Sequence, residues 1–447
     1  MKQYELREQM NSIEEPPRKT WFWELGAAVI DADRCVQCGI CVAVCPSNSI
    51  GVQALTNVPE LVKMCTGCSL CWDFCPRAGL RYEATWHEPE VPEEPVARGS
   101  SAPVGLATGA QGSGSANGTS NGLGRSTGHR TDDKAPWQIT GTNRDPGLGA
   151  VIESYAVRAA SPIRRTQDGG AVSALLVGLL SAGVIDGALV SKPSASPDEP
   201  WKGIPTIART PGEVYAAAGS FYNQTMGLAG LDLAGLSLPD RPRIAVVGTP
   251  CEVEGLRAMQ LRPWPTGAHR VDAVTLTIAL LCTKSFDYEA LIIEELQRKR
   301  DIDLERVDKI DVTRGRLIVR YADGAIAVDE SIKQFHGAAL KGCAECSDFL
   351  GRAADISLGS VGSIDGWTSA IVRTERGRAA FDRARAKLDV RGLDDVDALL
   401  RLDLLNKRIA EGALRRPLDP RGPMFIDFES HVRTHGAAVR QPVALRS

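Results

Sequence analysis

Twelve cysteines stand in this 447-residue chain, and eight of them form two copies of one string. The first runs Cys35-Val-Gln-Cys38-Gly-Ile-Cys41-Val-Ala-Val-Cys45-Pro46, the second Cys65-Thr-Gly-Cys68-Ser-Leu-Cys71-Trp-Asp-Phe-Cys75-Pro76. Each reads C-x2-C-x2-C-x3-C-P, the run that holds a 4Fe-4S cubane in bacterial-type ferredoxins. Three thiols at this spacing wrap one cluster, while the fourth points away and serves the other. The predicted ligand sets are Cys35, Cys38, Cys41 and Cys75 for one cluster, and Cys65, Cys68, Cys71 and Cys45 for the other. Pro46 and Pro76 end the loops, because proline lacks an N–H and fixes φ. Zinc asks for two separated pairs, often with histidine, and neither quartet offers that. Eight thiols so arranged make the chain an electron carrier.

The other four cysteines are Cys251, Cys282, Cys343 and Cys346. Cys251 follows a β-type run in VVGTPCEVEGL, and Cys282 ends another in LTIALLCTKSF. Cys343 and Cys346 form a C-x2-C pair, with Asp348 close behind. Strand ends of an α/β sheet converge at one edge, so a C-x2-C loop meeting two strand-end thiols gives a third 4Fe-4S site. Thr249, Pro250 and Glu252 suit the N-cap, N1 and N3 positions of a helix. Cys251 then falls in the first turn, where the helix dipole favours a thiolate. A reactive thiol at Cys251 or Cys282 is the lesser alternative, and a small buried hydrophobe the plainest one.

Elements that position these thiols follow from patterning. Residues 1–25 form a charged lead with Trp21 and Trp23, expected to pack on the next module. Residues 26–87 read as a two-cluster ferredoxin module, entered by a strand in AAVIDADRC and closed by a strand in LRYEATW. Residues 88–145 are Pro/Glu-rich and then Gly/Ser-rich, a composition too poor in bulky side chains to order itself. The Gly/Ser stretch has an r.m.s. reach of roughly 30 Å. Electron transfer needs the modules close, so the ferredoxin module is expected to dock while the tether loops outside.

From 146 to 375 helical and β-type patterns alternate. AVSALLVGLLSAGV, PGEVYAAAGSFY and YEALIIEELQRKR read as helices; DGALVS, RIAVVG and AVTLTIALLC read as strands. RLIVRYADGAIAV reads as a hairpin about Asp323-Gly324. Residues 376–447 read as two Arg-rich helices and an irregular tail, expected to dock a partner. The fold class is thus α/β: an α+β two-cluster ferredoxin module tethered to a larger α/β flavin and iron-sulfur domain without a Rossmann fingerprint.

The formal net charge of -3 gives no basic footprint for nucleic acid. Residues 1–30 hold no apolar signal region. The best apolar run, Ala171 to Val190, is broken by Asp186 and several glycines, so no membrane insertion is expected. A cytoplasmic protein is expected, whose cysteines serve metal or redox chemistry.

TQDGGAVSALLVGLLSAGVIDGALV (166–190), GEVYAAAGSFY (212–222), VVGTPCEVEGLR (246–257), LLCTKSF (280–286), GCAECSDFLGRAADISLGSVGSIDGW (342–367) and IVRTERG (371–377) carry a resemblance. The chain resembles the β subunits of coenzyme F420-reducing hydrogenases and of dehydrogenases of the reduced coenzyme, a family that includes ferredoxin-dependent chlorophyll-pathway reductases. The resemblance covers about 146–380 and the ferredoxin module. It implies one FAD held by Gln167, Gly169, Gly170, Ser173, Gly219, Ser220 and Tyr222, with Thr249 and the loop Gly359 to Gly362 on the same edge. Gly169-Gly170 opening a helix would bring backbone N–H groups to a pyrophosphate. It also supports Cys251, Cys282, Cys343 and Cys346 as ligands of a proximal cluster.

The function expected is hydride exchange between the deazaflavin F420 and FAD, with single electrons relayed through the clusters to or from a partner protein or ferredoxin. The chain is expected in a larger complex or a homo-oligomer. Arg164, Arg165, Lys192 and Lys202 are candidates for a basic mouth, and His336 for proton chemistry. The alternatives are a ferredoxin-driven FAD reductase of a tetrapyrrole or other unsaturated substrate, and an electron-transfer subunit without its own substrate. No side chain is expected to act as nucleophile, since flavin N5 carries the chemistry.

Overall fold

The structure is a computed structural model that describes residues 21–53, 56–78, 144–145, 147–233, 235–261 and 271–414. Helix α1 (Phe22–Leu25) runs on into a wider π-type turn over Gly26–Ile30. This corrects the strand expected from AAVIDADRC. Phe22, Leu25, Ala28 and Val29 recur at helical spacing and are all buried, and that longer pattern overrides the short β-like run. Each cysteine string forms a loop followed by a short helix, α2 (Ile40–Val44) and α3 (Leu70–Asp73). The duplication persists in the backbone: Gln37 and Gly67 are both left-handed, as are Gly39 and Ser69. Strand β1 (Ile50–Val52) pairs antiparallel with β2 (Pro59–Leu61) between the loops. The indole of Trp21 stacks on Trp23 and packs over Gly67 of the second loop. The strand expected from LRYEATW and the tether, apart from Arg144 and Asp145, lie outside the described residues.

The larger domain alternates as expected. Its elements are β3 (Glu153–Ala159), α4 (Ala171–Ser181), β4 (Gly187–Pro193), β5 (Gly203–Ala208), α5 (Pro211–Ala216), β6 (Ile244–Gly248), α6 (Pro250–Leu261), β7 (Val274–Leu280) and α7 (Glu289–Arg298). There follow β8 (Val307–Thr313), β9 (Arg316–Tyr321), β10 (Ile326–Ser331), β11 (Ile356–Gly359), β12 (Thr368–Val372), α8 (Glu375–Ala384), β13 (Leu388–Arg391) and α9 (Val396–Leu414). Eight strands form one mixed sheet in the order β13-β3-β12-β11-β7-β6-β4-β5. The four central strands β11, β7, β6 and β4 are parallel, and the outer pairings are antiparallel. Parallel strands need both faces covered. Helices α4 and α8 cover one face, burying Leu175, Leu176, Leu179 and Phe381 against Val157, Ile278 and Ile356. Strands β8, β9 and β10 form a separate meander with its own core around Leu317, Val319 and Phe335. The hairpin about Asp323-Gly324 is present.

The helix expected over 211–222 ends at Ala216, and 220–224 runs extended instead, with Asn223 bridging to Phe286. The carboxy-terminal stretch also departs from expectation. Residues 388–391 form a strand that pairs with β3 rather than part of a helix. Helix α9 closes over the turn Lys341–Glu345, where Asn406 Nδ2 donates to the Cys346 carbonyl at 3.3 Å. Asp403 on α9 pairs with buried Arg352 at 2.7 Å. Residues 415–447 lie outside the described residues.

The ferredoxin module docks directly on the sheet domain, as the electron-transfer argument expects. Ile40, Val44, Trp72 and Phe74 share one buried cluster with Ile244, Val246, Leu256 and Met259. Gly255 permits this approach: a Cβ there would sit 1.9 Å from Ile40 Cδ1. Polar pairs frame the seam. Arg34 Nε and Nη2 donate to Glu345 at 2.6 and 2.8 Å, and Asn57 Nδ2 donates to the Gln224 carbonyl at 2.8 Å. Lys341 pairs with Asp33 at its rim.

Candidate functional site

The eight thiols of the two strings lie close to one another: Cys38 senses Cys251, Cys75 and Cys41, Cys41 senses Cys35, Cys71 and Cys75, and Cys71 senses Cys68, Cys65, Cys45 and Cys75. Backbone N–H groups point at four of the sulfurs. Gln37 N donates to Cys35 Sγ, Gly67 N to Cys65 Sγ and Arg77 N to Cys75 Sγ, each at 3.4 Å, and Ser49 N donates to Cys45 Sγ at 3.2 Å. Such bonds favour a thiolate and tune a cluster's potential.

The remaining four cysteines meet at one cavity. Its walls include Cys251, Cys282, Cys343 and Cys346, with Val36 and Arg77 from the ferredoxin module and Gln224, Thr283, Lys284 and Ser285 from the sheet domain. The fold explains the meeting. Strands β6 and β7 are parallel neighbours, with Gly248 opposite Ala279, so the thiols three residues beyond each emerge at the same edge. The turn Lys341–Glu345 brings the C-x2-C pair there, and Ser285 N donates to Cys343 Sγ at 3.4 Å. Helix α6 starts at Pro250, as expected, and Glu252 accepts from Thr249 N at 2.7 Å. The Thr249 hydroxyl lies 3.2 Å from Cys251 Sγ.

Burial pushes these thiols up, Cys346 to about 12, and Cys282 likewise rises. Four thiols so placed have no reason to shed protons unless a cation takes them, and metal binding drives that release. Among the described residues, no group of three or more His, Cys, Asp or Glu is gathered around a single ion. A cubane differs: each thiolate binds its own iron, so the four stand apart around a volume. A thiol-only donor set around a cavity fits an iron-sulfur cluster. Asp348 serves the loop instead, accepting from Leu350 N, Gly351 N and Arg352 N at 2.9 to 3.1 Å.

A second edge lies beside the cavity. Gln167 Oε1 accepts from Ser220 Oγ at 2.5 Å and from Tyr222 OH at 3.2 Å, and Gln167 Nε2 donates to the Val312 carbonyl at 3.1 Å. Val312 N in turn donates to Tyr222 OH at 2.6 Å. Gly170 takes φ +69° at the start of α4, whose first turn carries no side-chain cap. Ser173 sits half-buried in that turn, and Gly219 lies exposed nearby. Gly169 is packed on β3, its carbonyl accepting from Ala159 N at 2.6 Å. Ser360, in the loop after β11, hydrogen-bonds Asp168, which burial holds above its usual range. An uncapped helix N-terminus at a sheet edge suits a pyrophosphate, so these residues fit a dinucleotide flavin. The Thr249 hydroxyl accepts from Gln224 Nε2 at 3.4 Å.

Three of the expected basic residues are engaged. Arg164 and Arg165 face Asp308 at 3.4 and 3.2 Å, and Lys202 is buried against Glu199 at 2.5 Å. Lys202 is therefore removed from any mouth by its place under Tyr288. Lys192 is exposed on β4, and exposed His336 is held below its usual range by its partial burial and by Lys284 and Lys333. Sequence patterning missed Lys284, Gln224 and Arg77. The signal for Lys284 and Arg77 was adjacency, each standing two residues after a cysteine.

Thiol quartets, a thiol-lined cavity and a mixed sheet with a docked ferredoxin-like domain define an iron-sulfur oxidoreductase subunit. Family comparisons agree. Residues 28–80 match the 4Fe-4S dicluster domain. Residues 154–232 and 242–396 match the N-terminal and C-terminal parts of the coenzyme F420 hydrogenase/dehydrogenase beta subunit. The coenzyme F420 hydrogenase subunit beta of Methanosarcina barkeri is 31% identical over 274 residues, 60% of this chain and 90% of that protein. Its counterpart from Methanothermobacter thermautotrophicus is 34% identical over 222 residues, 49% of this chain and 75% of that one. A coenzyme F420-dependent sulfite reductase of Methanocaldococcus jannaschii is 33% identical over 56% of this chain, but only 39% of that protein. A chain of the F420-reducing [NiFe] hydrogenase complex from Methanosarcina barkeri superposes with a TM-score of 0.56 at 27% identity, covering 61% of this chain and 94% of that one. The protein belongs to the coenzyme F420 hydrogenase/dehydrogenase beta subunit family.

Proposed function

We propose that this chain exchanges reducing equivalents between the deazaflavin coenzyme F420 and a relay of 4Fe-4S clusters, through an FAD at the edge built by Gln167, Gly170, Ser220 and Tyr222. One observation carries the reading. The extended segment 220–224 touches both sites: Ser220 and Tyr222 bond Gln167, while Gln224 lines the cysteine cavity. Ser285 Oγ donates to Gln224 Oε1 at 2.7 Å, tying that segment to the loop after Cys282.

Bound at this edge, a flavin supplies the exchange between a two-electron hydride and single electrons. The chain's own residues position it. The first turn of α4 offers backbone N–H groups to the pyrophosphate. Gln167, Ser220, Tyr222 and Val312 form a rigid hydrogen-bonded wall. Lys284 lines the cavity half-buried, with no hydrogen-bond or ion-pair partner among the described residues, a cation free to meet an anionic cofactor or substrate. The thiols of Cys251, Cys282, Cys343 and Cys346 then hold the cluster nearest the flavin. Val36, the neighbour of Cys35, and Arg77, two residues after Cys75, line the same cavity, so the next quartet adjoins it. The last quartet reaches the surface beside Met64, which is 85% exposed, and offers a partner protein its point of exchange.

Anaerobic flavin and iron analysis followed by mixing with reduced F420 tests this. About one FAD, about twelve irons and rapid bleaching of the cluster absorbance are expected. FAD and iron without any response to F420 would overturn the substrate and favour a ferredoxin-driven reductase.

A further inference from the structure

Two arginines are buried at the seam, and their partners differ. Arg34 is neutralised by the two-pronged bond to Glu345, and its Nη1 and Nη2 also donate to the carbonyls of Ala28 and Arg77. Arg77 is 1% exposed, yet among the described residues it forms no ion pair with a carboxylate. Its Nε donates to the Gly342 carbonyl at 2.7 Å and its Nη1 to the Pro76 carbonyl at 2.8 Å. Its Nη2 has no protein partner among the described residues, and the side chain borders the four-cysteine cavity. The anions that sense it are the Glu345 and Glu254 carboxylates and thiols of two different quartets: Cys251, Cys343 and Cys346 on one side, Cys35 and Cys75 on the other.

We propose that Arg77 is a potential-setting cation shared by two clusters, the one held by Cys251, Cys282, Cys343 and Cys346 and the one held by Cys35, Cys38, Cys41 and Cys75. The inference rests on the three-cluster reading above. A cubane with four thiolates carries a net charge of about -2 oxidised and about -3 reduced. A fixed positive charge beside it favours the reduced form and raises its potential. Held by two carbonyls between two such groups, Arg77 stabilises an added electron on either. A hydride yields two electrons, and this pair of neighbouring acceptors has room for both before one leaves by the outer cluster. Arg77 acts through the clusters and touches no substrate.

Redox potentiometry followed by electron paramagnetic resonance on the anaerobically purified full chain decides this. In Arg77→Met, two of the three midpoints are expected to move negative, while the cluster of Cys45, Cys65, Cys68 and Cys71 stays in place. Arg77→Lys should recover part of the shift. Glu345→Gln provides a second route that leaves Arg77 itself intact. Glu345 offsets Arg34 and also senses Arg77, so removing its charge should leave Arg77 less offset and move the same two midpoints positive, and the test survives if Arg77→Met loses iron. Unmoved midpoints in Glu345→Gln and in an iron-replete Arg77→Met overturn the inference and leave the relay standing. An equal shift of all three clusters also overturns it, because a shared local charge cannot act on the distant one alike. About eight irons in the unaltered protein would remove the relay and this inference together.

Discussion

Replacing Gly255 with alanine drives a methyl group into Ile40 across the seam between the ferredoxin module and the sheet domain. The new carbon lies 1.9 Å from Ile40 Cδ1 and 2.7 Å from Cγ1, against an ordinary contact of about 3.5–4.0 Å. Ile40 is fully buried and cannot swing into solvent. Overpacking of this kind costs about 1–3 kcal/mol, and the preference of a helix interior for alanine over glycine returns about 1 kcal/mol. Gly255→Ala should therefore destabilise by about 0–2 kcal/mol net. Ile40→Ala empties the same space from the other side and should cost about 2–5 kcal/mol. In the double variant the methyl enters the vacated volume, the overlap vanishes and the helix preference remains. The double should then cost about 1–4 kcal/mol rather than the sum of about 2–7, a coupling of about 1–3 kcal/mol. Anaerobic thermal unfolding, followed by cluster absorbance and far-ultraviolet circular dichroism, reads this out. Cofactor-loaded proteins seldom unfold in two states, so the order of midpoints is the observable: the double variant above Ile40→Ala, and both below the unaltered protein. With iron content matched, a double variant below Ile40→Ala would refute the docking of α2 on α6.

Cys346→Ser should remove about four of about twelve irons and spare the two ferredoxin-type signals; unchanged iron would strip the cavity of its role. Lys284→Met should weaken retention of the flavin or the affinity for F420 by the loss of one charge contact, about tenfold for 1.4 kcal/mol; equal flavin content and equal response to F420 would count against its placement in the mouth. Burial alone would raise the Asp355 carboxyl, but Arg257 and Arg376, helped by the Thr374 hydroxyl, hold it down to about 2. Its folded value thus lies below the unfolded 3.8, so its stabilisation is complete above that value and drains away as pH falls toward 2. Asp355→Asn should cost about 3–5 kcal/mol at neutral pH, because it strands two largely buried guanidinium groups, and should flatten the acid limb of the stability profile. A variant that keeps the acid limb unchanged would show that the carboxylate does not carry it.

Some of this was legible along the chain because the chemistry is local. The duplicated cysteine strings need only a loop and one helical turn each, and their left-handed positions at 37, 39, 67 and 69 follow from the same short pattern. Strands β4, β6 and β7 and the hairpin of β9 and β10 declared themselves by apolar runs and a turn dipeptide. Strands β3 and β13 did not, because an edge pairing is decided by what lies beside it and not by its own composition. The strand expected from AAVIDADRC failed for the same reason: its burial partners sit at helical spacing upstream, in α1.

Sequence by itself determined that this protein handles electrons, since two complete thiol quartets have no other economical use. It also marked Cys251, Cys282, Cys343 and Cys346, ninety-odd residues apart from first to last, but only as four separate thiols. Their common cavity exists because β6 and β7 are parallel neighbours whose ends share an edge. Arg77 and Lys284 became distinctive only when burial and the positions of every nearby carboxylate were known. A charge acquires its meaning from what it is buried against, and that is a property of tertiary structure alone.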